Sequence, residues 1–111
     1  MRPPNILTDG YPSRTLTYTC TDLPQSIAED ELFFEGKPAL TMFISCEMAN
    51  ARITFGDSDP DSTLHIGHAL YSYNTEWIRS SKAIRTFQFC NALAGQQTDA
   101  LIHITLFFDR Q

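Results

Sequence analysis

The side chains with the clearest capacity for chemistry are the histidines, which can bind a transition metal or transfer a proton. The chain has three of them, His65, His68 and His103. A metal centre needs its imidazoles to converge on one ion. Residues three apart on a strand point to opposite faces, so His65 and His68 can reach one ion only if a bulge at Gly67 changes the geometry. The spacing therefore favours surface or core histidines over a metal centre.

Two short histidine patterns resemble sites of known enzyme families, and neither pattern is complete. The letters His-Ile-Gly-His at 65–68 also mark the nucleotide site of class I aminoacyl-tRNA synthetases. Those enzymes need a nucleotide-binding α/β domain and a lysine-bearing second signature, which this chain of 111 residues lacks. His68 and His103 with a carboxylate could imitate a cupin metal centre, but the expected pair of histidines flanking one residue is absent. Neither pattern supports a catalytic site.

An acidic loop at residues 56–62 carries three alternating carboxylates, Asp57, Asp59 and Asp61. Alternating aspartates are one way in which proteins present oxygen ligands to calcium. Pro60 stands in the middle of this loop, and the glycine and distal glutamate of a typical calcium loop are missing. The sequence therefore favours a plain acidic turn and leaves open whether the three carboxylates hold a cation.

The sequence contains none of the usual signatures of catalysis. It has no GxSxG nucleophile elbow, no phosphate-binding loop and no dinucleotide fingerprint. Cys20, Cys46 and Cys90 are widely spaced in or at the end of predicted strands, which favours buried reduced thiols over a disulfide or a metal site. Such thiols fit a chain made in a reducing cytoplasm. We therefore expect a protein that is not an enzyme and has no catalytic, cofactor-binding or metal-binding residues.

Composition and charge limit the partners of this chain. The net charge is −5 and no basic stripe is present, which argues against nucleic acid as a partner. No window approaches the length of a membrane span, and the first ten residues lack the apolar run of a signal peptide. Eight phenylalanines, four tyrosines and one tryptophan suit a packed β core or an interface. We expect neither a nucleic acid nor a membrane partner.

Period-two alternation predicts the strands that must position these side chains. The alternating runs are residues 14–21, 32–35, 39–47, 51–55, 63–71, 76–79, 83–91 and 101–108. Gly95 and a polar stretch separate the last two runs, which we expect to form an antiparallel hairpin. The alternation also places Leu40, Leu64 and Ile66 on inward faces. About seven or eight short strands with frequent turns predict an all-β, antiparallel, jelly-roll-like sandwich.

Two parts of the chain are candidates for contacts with other molecules. Residues 1–13 are rich in proline and predict an extended arm, while residues 14–111 form a single β-sandwich domain. Trp77 lies between polar neighbours and close to Arg79, and such residues on a rim anchor interfaces. Alternatively, Trp77 plugs one end of the sandwich. The candidate interface residues are Arg2, Pro3, Pro4, Ile6, Tyr11, Tyr71, Tyr73, Trp77 and Arg79.

Several segments between residues 38 and 108 together resemble small virion proteins of tailed bacteriophages. In such chains a strand ending in cysteine leads to an RxTFG strand, an LGH-LY strand, an IR strand and a final aromatic strand. The corresponding residues here are Cys46, Arg52 to Gly56, Gly67 to Tyr71, Ile78-Arg79, and Leu101 to Phe108. The length and the arm also resemble the decoration, or staple, proteins on the outside of icosahedral heads.

The resemblance implies a head decoration protein that works without catalysis. Such a protein binds the outer capsid surface across joints between major capsid proteins and stabilises the packaged head. The implied partners are the major capsid protein and a second copy of the chain, with a homodimer favoured and a trimer as the alternative. The implied location is the capsid exterior of the virion, after synthesis in the host cytoplasm. The alternative function is a carbohydrate- or receptor-binding module of a virion, because exposed Trp and Tyr side chains stack on sugar rings.

Overall fold

Alternating apolar and polar residues form nine strands in the computed structural model, which describes residues 12–109. The strands are β1 (Ser13–Thr19), β2 (Gln25–Ser26), β3 (Phe33–Phe34), β4 (Lys37–Glu47), β5 (Ala51–Thr54), β6 (His68–Leu70), β7 (Thr75–Ile78), β8 (Gln88–Asn91) and β9 (Leu101–Phe108). A single-turn 3₁₀ helix at Glu29–Leu32 and a short α-helix, α1, at Ser81–Arg85 complete the described part. Neither of these helices is long and apolar enough to cross a membrane.

The strands form two antiparallel sheets, and the predicted all-β sandwich class is confirmed. The five-stranded sheet has the order β1-β9-β4-β3, and β7 also pairs with β4. The four-stranded sheet has the order β2-β8-β5-β6. Without the two-residue β3, this is the double-sheet arrangement of a jelly roll. In the five-stranded sheet Ile104 of β9 lies opposite both Leu16 of β1 and Ile44 of β4, so β9 is the strand that joins them.

The core lies between the inward faces of the two sheets. Ile44 and Ile104 of the five-stranded sheet and Phe89 of the four-stranded sheet are fully buried in one cluster. Burying such a side chain contributes about 2 kcal/mol of hydrophobic stabilisation. The rings of Tyr18 and Phe89, which come from different sheets, lie 5.2 Å apart between centroids. The apolar alternation of the strands is therefore satisfied by contact between the two layers.

The predicted strand over residues 83–91 is confirmed only over Gln88–Asn91, and its predicted hairpin with β9 is wrong. Residues Ser81–Arg85 form α1 instead, and the side chain of Ser80 accepts a hydrogen bond from the Ala83 N–H as its N-cap. β8 begins at Gln88 and pairs with β2 and β5, whereas β9 pairs with β1 and β4. Two strands that each have one apolar face can bury these faces either as neighbours in one sheet or as members of two sheets that face each other. β8 and β9 lie in different sheets, and residues 92–100 connect them.

Three apolar side chains that were predicted to face inward are exposed instead. Leu40 is 39% exposed because the pairing of β4 with β9 shifts between Ala39 and Thr41, and this irregularity reverses the alternation. Leu64 and Ile66 are exposed because the predicted strand over 63–71 is regular only in β6. The residues before β6 form a turn that is closed by a bridge between Asp61 and Ile66.

Candidate interaction face

The outward side chains of the five-stranded sheet form a broad face, named here the outer face. Because successive residues of a strand point to opposite sides, the neighbours of the buried residues of β4 and β9 must point outward. Threonines and a histidine occupy the β1 and β9 side of this face, and aromatic rings lie toward β7. The outer face thus combines a polar half with an aromatic half.

The aromatic half is organised around Trp77, which lies directly opposite Phe43 because β7 pairs with β4. The Trp77 ring centroid is 4.6 Å from that of Phe43 and 5.9 Å from that of Phe107. The Arg79 guanidinium lies 5.4 Å from the Trp77 centroid, within cation–π distance. Trp77 remains 39% exposed. Since it packs on outward-facing rings and is outside the buried core cluster, the interpretation that it plugs the end of the sandwich is wrong.

The polar half contains a hydroxyl, an imidazole and a carboxylate in one row across three strands. Thr17 Oγ1 lies 3.1 Å from His103 Nδ1, and His103 Nε2 lies 2.8 Å from Glu47 Oε1. This is the order of a nucleophile, base and acid in a hydrolase triad. The row is open to water, whereas such triads act in enclosed sites with preorganised donors for the developing charge. The geometry therefore offers hydrogen-bonding groups to a partner surface.

The structure brings together only part of the predicted interface set. Arg2, Pro3, Pro4, Ile6 and Tyr11 lie outside the described residues 12–109. Trp77 and Arg79 are in contact. Tyr73 is 82% exposed on the turn before β7, and its backbone N–H donates to the Cys46 carbonyl oxygen. Phe43 and Phe107 were missed, although their outward phase in the alternation of β4 and β9 could have identified them.

Two open clefts lie away from the outer face. Tyr71 lines one of about 510 Å³, where it is joined by the exposed side chains of Met48 and Leu93. The other, of about 860 Å³, lies beside α1 and is lined by Lys82 and Arg85 among others. Tyr71 thus belongs to a surface different from that of Trp77, so the predicted rim is divided between two places.

The acidic loop is organised by its own hydrogen bonds. Asp61 Oδ1 accepts hydrogen bonds from the N–H groups of Thr63 and Leu64 at 2.8 and 2.9 Å. The bond from Leu64 is the larger cause of a lowered Asp61 pKa, and the bond from Thr63 is the next. Asp59 Oδ1 accepts from Gln88 Nε2 at 2.8 Å, which ties the loop to β8. Between residues 12 and 109 no three His, Cys, Asp or Glu side chains come together as a metal site. Asp61 therefore serves the turn itself, and Asp59 joins the loop to the four-stranded sheet.

The three histidines lie in different settings. His65 is in the turn before β6 with φ of +59°, and His68 is in β6 of the four-stranded sheet. His103 lies on the outer face of the other sheet, bonded to Thr17 and Glu47. The cupin-like pairing of His68 with His103 is therefore not formed.

The three cysteines are buried and unbridged, as predicted. Burial, assisted by the nearby Cys46, Cys90 and Asp99, raises the pKa of Cys20 to about 12. Burial also raises the pKa of Cys46 to about 11. The thiolate is the reactive form of cysteine, so these side chains behave as small apolar groups near neutral pH.

A buried amide ties the loops at one end of the sandwich. Asn91 Nδ2 donates to Asp22 Oδ1 at 3.0 Å and to Asp99 Oδ1 at 2.9 Å. Asn91 Oδ1 accepts from the Ala100 N–H at 2.9 Å and from Gln96 Nε2 at 3.2 Å. All four hydrogen-bonding positions of the amide are used, which a buried polar group requires. This network holds the 92–100 crossing against the turn after β1.

Asp22 gives the fold a dependence on acid pH. Its pKa is lowered by the hydrogen bond from the Asn91 side chain and then by that from the Gly95 N–H. A lowered folded-state pKa means that Asp22 stabilises the fold above the unfolded-state pKa, and that this contribution is lost as pH falls through the folded-state value. We expect the thermal unfolding midpoint to fall as the pH drops below about 4, the unfolded-state value, and Asp22→Asn to flatten that fall.

Thermal unfolding followed by circular dichroism at a series of pH values measures this effect. Asp57→Asn is the matched control, because Asp57 is an exposed aspartate of the acidic loop. Identical pH profiles for Asp22→Asn and the unmodified chain would contradict the assignment.

No protein-family model matches the chain, and a search of curated proteins finds no significant match. Sequence similarity therefore assigns no family. A jelly roll is shared by proteins of many functions, so the fold by itself does not assign one either. Function is inferred from the outer face and the physical properties of its residues.

Proposed function

We propose that the chain is a capsid decoration protein of a tailed bacteriophage. In this role it binds the outer surface of the head across joints between major capsid proteins and stabilises the packaged head. The observation that carries the proposal is the outer face, where Trp77, Phe43 and Arg79 are grouped at the edge of a sheet. The resemblance of residues 38–108 to phage virion proteins supplies the identity of the partner.

The composition of the outer face favours a protein partner. Tryptophan and arginine are the residues that most often carry the binding energy of an interface, and they do so when surrounded by groups that exclude water. Phe43 and Phe107 support Trp77 from beneath, so its ring is held in place before binding. Little side-chain entropy is then lost on association. A face of this kind suits an anchor that works by burial alone.

The proposed role needs no catalytic step. A protein that binds the assembled lattice and not its separated parts stabilises the lattice by mass action. The jelly roll is a common fold of viral capsid proteins and lectins, which fits a role in recognition. The net charge of −5 fits a protein that contacts other proteins and not the packaged DNA.

Trp77→Ala is expected to weaken binding to purified heads about 30-fold, the effect of losing about 2 kcal/mol at a central anchor. Tyr71→Ala is the matched control, because it removes an exposed aromatic side chain from a different surface. Binding is measured by co-sedimentation of the purified protein with undecorated heads. Circular dichroism checks that both variants remain folded.

The possible outcomes separate three situations. Equal binding by Trp77→Ala and the unmodified chain would remove the outer face from the interface. Weaker binding by Tyr71→Ala alone would move the interface to the cleft near Met48. No binding of the unmodified chain to heads of the phage that encodes it would reject the decoration role.

Carbohydrate binding is a second candidate that the same face favours. The Trp77 and Phe43 rings lie on the same sheet face as the row of Thr17, His103 and Glu47. Aromatic rings can stack on a sugar while hydroxyl and carboxylate groups bond its hydroxyls. A glycan array distinguishes the two functions, because a glycan ligand requires both Trp77 and Glu47 and does not require a capsid.

A further inference from the structure

Among the described residues 12–109, the first strand of the five-stranded sheet has a neighbour on one side only, so its other edge is open. β1 pairs with β9 on one side, from Ser13 opposite Phe107 to Thr19 opposite Leu101. The Phe108 N–H donates to the Pro12 carbonyl at 2.9 Å, and the Cys20 N–H donates to the Ala100 carbonyl at 2.8 Å. In an antiparallel ladder the bonded pairs alternate, so the even-numbered residues of β1 bond to β9. The odd-numbered residues direct their N–H and C=O groups to the open edge: Ser13, Thr15, Thr17 and Thr19.

This edge is longer and less protected than the other sheet edges of the described chain. The edge strands β2, β3, β6 and β7 have 2, 2, 3 and 4 residues, whereas β1 has 7. Proteins usually protect an open edge by shortening it or by adding lysine, proline or a bulge. β1 contains no lysine and no proline, and its register with β9 is uninterrupted. Such an edge is suited to accept another strand.

The inward side chains of β1 are also incompletely covered. Arg14, Leu16 and Tyr18 face the core but are only partly buried, while the residues between them are exposed. Leu16 and Tyr18 pack against the core cluster from its margin. A strand added at the open edge would cover the remaining apolar surface of both side chains. Backbone pairing and apolar burial therefore favour the same site.

We propose that β1 pairs antiparallel with β1 of a second copy of the chain, about a two-fold axis at Leu16. Thr15 then lies opposite Thr17 of the partner subunit, and Ser13 lies opposite Thr19 of the partner subunit. These are the residues whose N–H and C=O groups face the open edge in both copies, so the register allows about eight backbone hydrogen bonds. The two five-stranded sheets become one continuous sheet.

The side chains of β1 fit a second copy. Arg14, the single charged residue of the strand, lies opposite Tyr18 of the partner subunit in this register, so no like charges face each other. Arg14 Nε is paired with Glu31 Oε2 at 3.2 Å. Thr15 and Thr17 form threonine–threonine pairs across the new junction, which are favourable cross-strand neighbours. The two-fold axis of this pairing lies between the two β1 strands, and two-fold symmetry is the commonest symmetry of homo-oligomers.

The pairing has a consequence for binding that rests on the proposed function. Residues opposite each other in a sheet share one face, so the outer faces of both copies point to the same side of the joined sheet. A dimer would then present two copies of the Trp77 cluster to one target surface. Two linked contacts bind much more tightly than one when both sites are within reach. This arrangement suits a protein that bridges a joint.

A charge-swap series tests the pairing with the full-length protein. Sedimentation equilibrium is expected to show a dimer for the unmodified chain. T15K/T17K places two lysines opposite each other at each threonine pair, and we expect dimerisation to weaken about 100-fold at low salt. T15K/T17E places a lysine opposite a glutamate at the same pairs, and we expect the dimer to return. Both positions are exposed, and circular dichroism checks folding.

Each other result overturns the pairing. A monomeric unmodified chain, a T15K/T17K dimer as tight as the original, or a T15K/T17E chain that stays monomeric would do so. A full-length monomer that dimerises after removal of residues 1–11 would show that this segment occupies the edge instead. Binding to heads is measured separately. A monomer that binds heads would reject only the β1 pairing, and a dimer that does not bind heads would reject only the decoration role.

Discussion

Asn91→Asp is expected to lower the free energy of unfolding at pH 7 by on the order of 3 kcal/mol, although it changes one side-chain group. Asn91 is 1% exposed and donates to the carboxylates of both Asp22 and Asp99. The substitution removes these two donors and buries a third carboxyl group beside two others. Like charges and burial both disfavour its ionised form.

The pH dependence of this variant has a defined sign. The pKa of the new carboxyl group is raised in the folded state, so the loss of stability shrinks as pH falls through that raised value. Urea unfolding at pH 7 and pH 5 measures the difference. Asn74→Asp makes the same chemical change on an exposed turn and is expected to have little effect. A variant at position 91 as stable as this control would contradict the role of the network.

Gly67→Ala is expected to destabilise the fold by a similar amount, about 3 kcal/mol, for a different reason. Gly67 has φ of +116°, a region that favours glycine. A Cβ atom at this position would lie 2.8 Å from the Ile53 carbonyl oxygen and 2.9 Å from Arg52 Cγ. The turn before β6 packs directly on β5, and Arg52 Nη1 donates to the Gly67 carbonyl oxygen at 3.2 Å. Added volume must displace this turn.

Gly56→Ala is the matched control for this substitution. Gly56 has φ of +82°, but a Cβ atom there meets nothing within 4 Å, so we expect a loss of about 1 kcal/mol from backbone strain alone. The difference between the two variants in thermal unfolding isolates the cost of the close approach. Equal losses would mean that the packing of Gly67 on β5 does not matter. The glycine of the His-Ile-Gly-His motif thus has a structural explanation that involves no nucleotide.

The fold class could be predicted because each layer of the sandwich leaves a periodic trace in the sequence. Ile44 and Ile104 follow strict alternation and are buried where that alternation places them. The partner of a strand leaves no such trace. Residues 83–91 and β9 each carry one apolar face, and this pattern is the same whether the faces meet across the core or lie in one sheet. The choice of sheet is made by the whole chain.

Local departures from alternation were harder to predict for a related reason. Leu40 is exposed because the pairing of β4 with β9 passes from Ala39 to Thr41 and leaves Leu40 out of phase with the buried residues that follow. Leu64 belongs to a run with regular spacing, but hydrogen bonds from the Thr63 and Leu64 N–H groups to Asp61 turn the chain first. A carboxylate two or three residues upstream can thus outweigh an apolar pattern.

Trp77, the most unusual residue of the outer face, could be predicted from the sequence, but the full extent of that face could not. Trp77 and Arg79 stood out because an aromatic ring and a cation among polar neighbours are typical of interfaces. Tyr71 was grouped with them by closeness in sequence, but the chain changes sheets between β6 and β7 and takes Tyr71 elsewhere. Phe43 joined the cluster through the pairing of β7 with β4, which depends on residues far apart along the chain.

The position of β9 has a consequence for how the molecule is made. β1 and β4 do not pair with each other and are both held by β9, which follows them along the chain. During synthesis, β1 therefore cannot pair with β9 until residues 101–108 have left the ribosomal exit tunnel. A nascent chain that is still short of Leu101 contains β4 with its neighbours β3 and β7 but has no strand to join them to β1, so completion of the larger sheet must follow synthesis of its last strand.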